Sequence, residues 1–156
     1  MRPFSARWSR TERSDLCGIP LDVRLAVWPF AQPYATIPGV TSVLIVDDHP
    51  SFRASARALL QAEGFEVVGE AADGAEALRA AEELHPDVVL LDVQLPDTDG
   101  FDVAARLTKL NSHAPAVVLT SSRDGSDFGP LVAYSGARGF VPKAELSAEA
   151  LATLLP

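Results

Sequence analysis

The strongest constraint in this chain is a unit that repeats. Five times from about Thr41 onward, a short apolar run gives way to a turn and then, more or less strongly, to a helical pattern. Val43-Leu44-Ile45-Val46 stops at Asp47-Asp48-His49-Pro50. A β-branched run this short, with no polar alternation, fits a strand covered on both faces. Pro50 suits the first turn of a helix. Phe52, Ala56, Leu59 and Leu60 share one face of it, and Gly64 lies just past its end. Val67 to Ala71 is a second predicted strand. Asp73, with Glu76 three residues on, opens a helix through a capping-box pattern. Ala77, Ala81 and Leu84 form its inward stripe, and Pro86 stops it. Val88 to Leu91 leads to Asp92. Asp99-Gly100 opens a helix with Val103, Ala104, Leu107 and Leu110 inward. Val117-Val118-Leu119 leads to Thr120, and a weaker helix around Leu131 to Ser135 starts at Gly129-Pro130. Gly139-Phe140-Val141 is followed by Pro142-Lys143. Ser147 caps the last helix, with Leu146 and Leu151 spaced as a hydrophobic staple.

Alternating strands and helices predict an α/β fold: a doubly wound, five-stranded parallel sheet with helices on both faces. In such sheets the site lies beyond the carboxyl ends of the strands, where the strand order reverses. The residues at those ends are Asp47, Asp48, Asp92, Thr120 and, just after the last strand, Lys143. Three crowded carboxylates repel one another unless a cation is present. A hard divalent cation such as Mg²⁺ takes oxygen ligands. A carboxylate beside it can act as a nucleophile toward a phosphoryl group, and such a transfer needs charge neutralisation on the phosphoryl oxygens. Lys143 is a compact point charge for that purpose, and the Thr120 hydroxyl can donate to another oxygen. His49 adjoins the acids, but Mg²⁺ prefers oxygen, so it reads as a loop residue at the helix start. Asp97 and Asp99 read as parts of the loop and the next helix start.

Charge divides the chain. Five arginines against three acids leave residues 1–40 at +2, so with a net charge of −8 over the 156 residues the remainder carries −10. Both tryptophans, Trp8 and Trp28, and five of the twelve prolines fall in the first segment, which shows no lasting period. It reads as an N-terminal extension, flexible or loosely docked, with the repeating domain over 41–156. The sequence pI of about 4.7 speaks against a dedicated nucleic-acid binder. No run of about 18 apolar residues is present to cross a membrane. The single Cys17 cannot make an intramolecular disulfide, and with three histidines it cannot supply a Cys-rich zinc site.

The stretches VLIVDDHPSFR, VVGEAADGAEAL, PDVVLLDVQLPDTDG, VVLTSS and SGARGFVPKAEL together resemble a bacterial response-regulator receiver domain of the CheY-like, flavodoxin-like class. The first three resemble receivers of the NarL/FixJ group. The resemblance implies Asp92 as phosphoacceptor. It implies Asp48, Asp92 and the Gln94 backbone carbonyl as Mg²⁺ ligands, with Asp47 acting through metal-bound water. It makes Thr120 the switch hydroxyl, Lys143 the phosphate-stabilising lysine and Phe140 the switch aromatic. Gln94 would also flank the route of water to the acyl phosphate. Such a domain is a cytoplasmic signalling module and catalyses only its own phosphorylation and dephosphorylation. Its partners would be a histidine kinase or phosphotransfer protein and an unknown output protein, with a homodimer also possible. Direct nucleic-acid contact and membrane insertion are not expected. Because the sequence given stops after the last helix, a stand-alone phosphorelay role is expected. The alternative is a phosphorylation-independent adaptor with the same fold.

Two features depart from the family pattern. Many receivers carry a proline directly after the lysine, reached through a cis bond. Here Lys143 follows Pro142 and precedes Ala144, so a cis bond after the lysine is not expected. The fourth helix is short, which leaves the shape of its signalling face open. Two enzyme classes fit poorly. A phosphatase of the haloacid-dehalogenase type requires a second Asp two residues after the nucleophile, where Gln94 stands. A dinucleotide-binding enzyme would show G-x-G-x-x-G after the first strand.

Overall fold

The computed structural model describes residues 39–110, 113–123 and 125–155. The extension expected over residues 1–40 lies outside the described residues apart from Gly39 and Val40. From Ser42 onward the chain alternates strand and helix: β1 (Ser42–Val46), α1 (Pro50–Ala62), β2 (Glu66–Ala71), α2 (Gly74–Leu84), β3 (Val88–Asp92), α3 (Gly100–Leu107), β4 (Ala116–Ser121), α4 (Gly129–Ser135), β5 (Gly139–Pro142) and α5 (Ala148–Thr153). The strands form one parallel sheet in the order β2-β1-β3-β4-β5. The chain thus winds outward from β1 in one direction and from β3 in the other, as the expected doubly wound topology requires.

Every residue of β1 and β3 is buried, because both sheet faces are covered. Successive strand residues point to opposite faces. On one face Leu44, Val46, Val89, Leu91, Val117 and Leu119 pack with Ala77 and Ala81 of α2 and Val103, Ala104 and Leu107 of α3. On the other, Val43, Ile45, Val88, Leu90, Val118 and Val141 pack with Ala56 and Leu60 of α1 and Leu151 of α5. That split explains why β1 and β3 read as unbroken apolar runs. Small alanines dominate the α2 stripe and let this helix lie close against the sheet.

The expected caps form, with differences in detail. Pro50 opens α1, and Gly64 follows it in the left-handed region at φ +97°. The Asp73 side chain accepts from the Glu76 N–H at 2.8 Å. The return bond from Glu76 reaches the Ala72 N–H, at 2.9 Å, and not that of Asp73. Ser147 accepts from the Ala150 N–H at 3.0 Å, and Leu146 and Leu151 share one cluster. α3 ends at Leu107, so Leu110 lies beyond the helix although it still packs on the core. The chain tightens there, with Lys109 and Leu110 donating to carbonyls three residues back, while the Thr108 hydroxyl bonds the Ala105 carbonyl at 3.0 Å.

The loop after β3 is tied down at two places. Asp99 caps α3 by accepting from the Phe101 N–H at 2.7 Å. Asp97 accepts from the Gly74 and Ala75 N–H groups at 2.8 and 3.0 Å, so it caps α2 from a different part of the chain. The Gly74 N–H bond, opposed in part by desolvation and reinforced by Ala75, holds the Asp97 carboxyl below its ordinary range. Gly100 lets α3 start against the end of β3: a Cβ there would stand 2.3 Å from the Asp92 carbonyl oxygen.

Two outcomes follow from these anchors. Gly100→Ala should destabilise the domain by about 2 kcal/mol in urea unfolding, since the clash is with backbone. Gly129→Ala, where a Cβ meets nothing within 4 Å, should not. A stable Gly100→Ala protein would show that the β3–α3 junction yields. Asp97→Asn should lower the urea midpoint at neutral pH. A folded-state value lowered from the ordinary 3.8 makes the charge stabilising above that pH, and this contribution is lost as pH falls through the lowered value. The gap between variant and wild type should therefore close in acid, and parallel midpoints at all pH values would show that the charge contributes nothing.

Candidate functional site

The sheet delivers the expected polar residues to one edge. Asp47 immediately follows β1, Asp92 is the last residue of β3, Thr120 lies at the end of β4, and Lys143 follows β5. The register pairs Asp92 with Thr120 and Thr120 with Val141. The Val93 N–H donates to the Thr120 carbonyl at 2.9 Å, which extends the ladder past Asp92. The central strands place their acids side by side for a topological reason, because β1 and β3 are neighbours at the point where the strand order reverses.

Lys143 joins two of the acids. Its Nζ stands 2.5 Å from Asp47 Oδ2 and 3.3 Å from Asp92 Oδ2. It also lies 4.7 Å from the centre of the Phe52 ring, so α1 lends an aromatic face to the same cation. Asp47 is fully buried and Asp92 nearly so. Burial pushes the Asp92 carboxyl above its ordinary value; the Gln94 N–H opposes this, the neighbouring Asp47 charge adds to it, and Lys143 offsets part of it. Burial works against the charge of Lys143, but Asp47 and Asp92 outweigh it and hold the ammonium above its ordinary value. The Gln94 N–H donates to Asp92 Oδ1 at 3.2 Å, so the two oxygens of Asp92 face different donors.

Asp48 is the acid at the solvent side. One carboxylate oxygen from each of Asp47, Asp48 and Asp92, together with a ring nitrogen of His49, lies within a 4.8 Å cluster. His49 is closer to the acids than its sequence position suggests: its Nδ1 is 3.0 Å from both Asp47 Oδ1 and Asp48 Oδ1. Its backbone N–H also donates to Asp47 Oδ1 at 2.8 Å. Three carboxylates against one fixed ammonium leave the cluster negative. Mostly oxygen donors, open to solvent through Asp48, suit a hard divalent cation that keeps some of its waters. The raised Asp92 value has a physical cause that such a cation would relieve.

Thr120 is fully buried, and its hydroxyl finds no hydrogen-bond partner among the described residues. Phe140 lies one strand over and is partly buried. Its ring is 5.6 Å from that of Phe128, which is 5.7 Å from that of Phe101. A Cβ on Gly125 would stand 2.6 Å from the Phe140 ring, so the turn after β4 closes directly over it. The loop after Thr120, the start of α4 and Phe140 therefore touch. Asp99 caps α3, the helix start at which the sequence placed it, whereas Asp97, read only as a loop residue, caps α2. Sequence reasoning missed Arg53, whose Nη1 donates to the Asp47 carbonyl at 2.5 Å, and Glu70, which accepts from Arg53 Nε at 3.0 Å. The signal was a charged residue in a strand with otherwise apolar neighbours, one residue before the strand's end.

Comparison with known proteins agrees with this geometry. The model of the response regulator receiver domain family matches residues 43–155. The BvgA regulator of Bordetella pertussis is 45% identical over 103 residues, covering 66% of this chain and 49% of its own length. The transcriptional regulatory protein LiaR of Bacillus subtilis is 37% identical over 108 residues, covering 69% of this chain and 51% of its own. The chain thus spans about half the length of the curated relatives it matches. Among solved structures, the signal receiver domain of a response regulator NarL from Mycobacterium tuberculosis superposes with a TM-score of 0.65 at 36% identity, covering 75% of this chain and 98% of that one. A LuxR-family two-component response regulator from Aurantimonas superposes with a TM-score of 0.66 at 32% identity, covering 74% of this chain and 86% of that one. Together with the CheY-like fold, the matched residues place this chain in the response regulator receiver domain family.

Proposed function

We propose that residues 41–156 accept a phosphoryl group on Asp92 from a histidine kinase or phosphotransfer protein, and that residues 1–40 are an extension outside this module. The observation that carries the reading is the Lys143 ammonium between the carboxylates of Asp47 and Asp92 at the end of the sheet. An Asp92 oxygen attacks phosphorus, a P–O bond forms, the P–N bond to the donor imidazole breaks, and the imidazole nitrogen keeps the electron pair and takes a proton. Mg²⁺, when bound, neutralises charge on the phosphoryl oxygens. Asp48, Asp92 and the Gln94 backbone carbonyl would hold it, with Asp47 acting through a water. Lys143 holds a second positive charge beside Asp92. The exposed Gln94 side chain lies on the solvent side of the acids, where it can influence hydrolysis of the acyl phosphate.

The output follows from Thr120. A phosphoryl group brings roughly −1.5 to −2 charge near neutral pH. The unpartnered Thr120 hydroxyl is a ready donor to it. Movement of Thr120 carries the loop after β4, which lies over Phe140, and so biases the face built from α4 and β5. The consequence is a changed contact with another protein, in a soluble cytoplasmic signalling role. The transcriptional regulators named above are about twice as long, and their DNA-directed functions are not carried over.

Asp92→Asn should fold at least as stably as wild type, because it removes the repulsion with Asp47, yet gain no mass from acetyl phosphate. Intact-mass measurement checks this, and undiminished phosphorylation at the same site would remove Asp92 from the role. Thr120→Ala should still be phosphorylated at Asp92 while its conformational response shrinks. Amide hydrogen exchange over residues 120–141, with and without beryllofluoride, reads that response. A full wild-type change in the variant would mean the coupling does not pass through Thr120. A wild-type protein that never labels would favour the adaptor reading.

A further inference from the structure

We infer that Arg53 and Glu70 form a positioning clasp for the acidic site, fixing the peptide group that joins Asp47 to Asp48. This deepens the proposed function and rests on that reading only where phosphoryl transfer is concerned.

The Asp47 main chain is held on both sides. Its N–H donates to the Ala71 carbonyl at the end of β2, at 3.0 Å. Its carbonyl accepts from Arg53 Nη1 on α1. The same guanidinium donates through Nε to Glu70 Oε1 at 3.0 Å, and Glu70 precedes Ala71 in β2. Arg57 Nε meets the other oxygen, Glu70 Oε2, at 2.6 Å. One residue pair of β2 thus grips the two polar groups of Asp47, Ala71 directly and Glu70 through Arg53.

The Asp47 carbonyl and the Asp48 N–H belong to one planar peptide. Fixing that carbonyl fixes the plane from which the Asp48 side chain departs. Asp47 has little freedom already, being buried and bound to Lys143. Asp48 is exposed and sits on the opening turn toward α1; beyond the His49 imidazole 3.0 Å from its Oδ1, the peptide plane sets the direction in which its side chain departs. Arginine suits the task because its rigid fork presents two donors in fixed, different directions, whereas a lysine ammonium is a compact point charge that would have to lie between both acceptors to serve them. Arg53 is only 17% exposed, so its bonds are shielded from water more than those of an ordinary surface pair. A structural role alone, pinning α1 to β2, would be met equally by Arg57, which bonds Glu70 but not Asp47.

Arg53→Lys and Arg57→Gln in the full chain separate the two roles. Mg²⁺ alone is the probe, titrated by amide chemical shifts of residues 47–49 and 92–94, with thermal unfolding measured in parallel. Arg53→Lys should weaken Mg²⁺ binding about tenfold, the scale seen when partners behind a metal ligand are lost. Arg57→Gln should hold Mg²⁺ affinity near wild type whatever it costs in melting temperature. With acetyl phosphate, Arg53→Lys should raise the Mg²⁺ concentration for half-maximal labelling more than it lowers the rate at saturating Mg²⁺. Unchanged Mg²⁺ affinity in Arg53→Lys, or losses in both variants that simply follow melting temperature, would overturn the clasp. A wild type that binds Mg²⁺ but takes no phosphoryl group would overturn the functional reading and leave the clasp standing; one that binds no Mg²⁺ would overturn both.

Discussion

The site depends on one unfavourable contact made tolerable. Two carboxylates, Asp47 and Asp92, are buried beside each other because β1 and β3 are adjacent central strands. Left alone, such a pair would drive one member to protonate. The Lys143 ammonium, delivered from beyond β5 on the far side of β4, lies within ion-pair distance of both. Its position depends on the pairing of β1, β3, β4 and β5, which brings the end of β5 to the same sheet edge as the two acids. The balance is partial. One ammonium does not neutralise three acids, and Asp92 is still pushed upward by its burial and by Asp47. What remains is a negative cluster that a divalent cation would relieve.

The apolar frame follows from the sequence because both faces of the sheet are covered. Val43 to Val46 and Val88 to Leu91 could read as strands without alternation only if helices flank them on both sides, and they do. Strand ends were legible for the same reason: the first polar residue after each run, Asp47, Asp92 or Thr120, is where burial of a side chain on both faces stops being free of charge or hydrogen-bonding demand. Lys143 was placed by the turn after Val141. These positions needed no long-range information beyond the winding rule.

What was not legible depends on contacts across the chain. The bond from Asp97 to Gly74 and Ala75 spans more than twenty residues and has no local period. His49 looked like a loop residue because its side-chain direction depends on how the turn after β1 closes. Arg53 and Glu70 carry no local signal that relates them to Asp47, and only the parallel pairing of β1 with β2 brings them behind it. The premature end of α3 escaped the periodicity because Leu110 stays on the core without staying helical. Pattern locates an apolar face well, but it does not say whether the last residue on that face is reached by a helix or by a turn.

Thr120 is the point at which the proposed response would begin. A buried hydroxyl without a partner costs roughly 1–3 kcal/mol. It cannot be relieved by water while it stays fully buried, and a valine of similar shape would fit the site without that cost. The chain keeps the hydroxyl beside Asp92 in register, and it builds the next segment over a partly buried phenylalanine. On the proposed reading, a phosphoryl group on Asp92 would offer Thr120 an acceptor that it lacks among the described residues. Such a gain would exist only in the modified state, which is the differential interaction that shifting a two-state element requires. On the proposed reading, Phe140 would set how far that shift travels. Its ring is held between Phe128 and the Gly125 turn, so the loop after β4 moves only if this aromatic row gives way or moves with it.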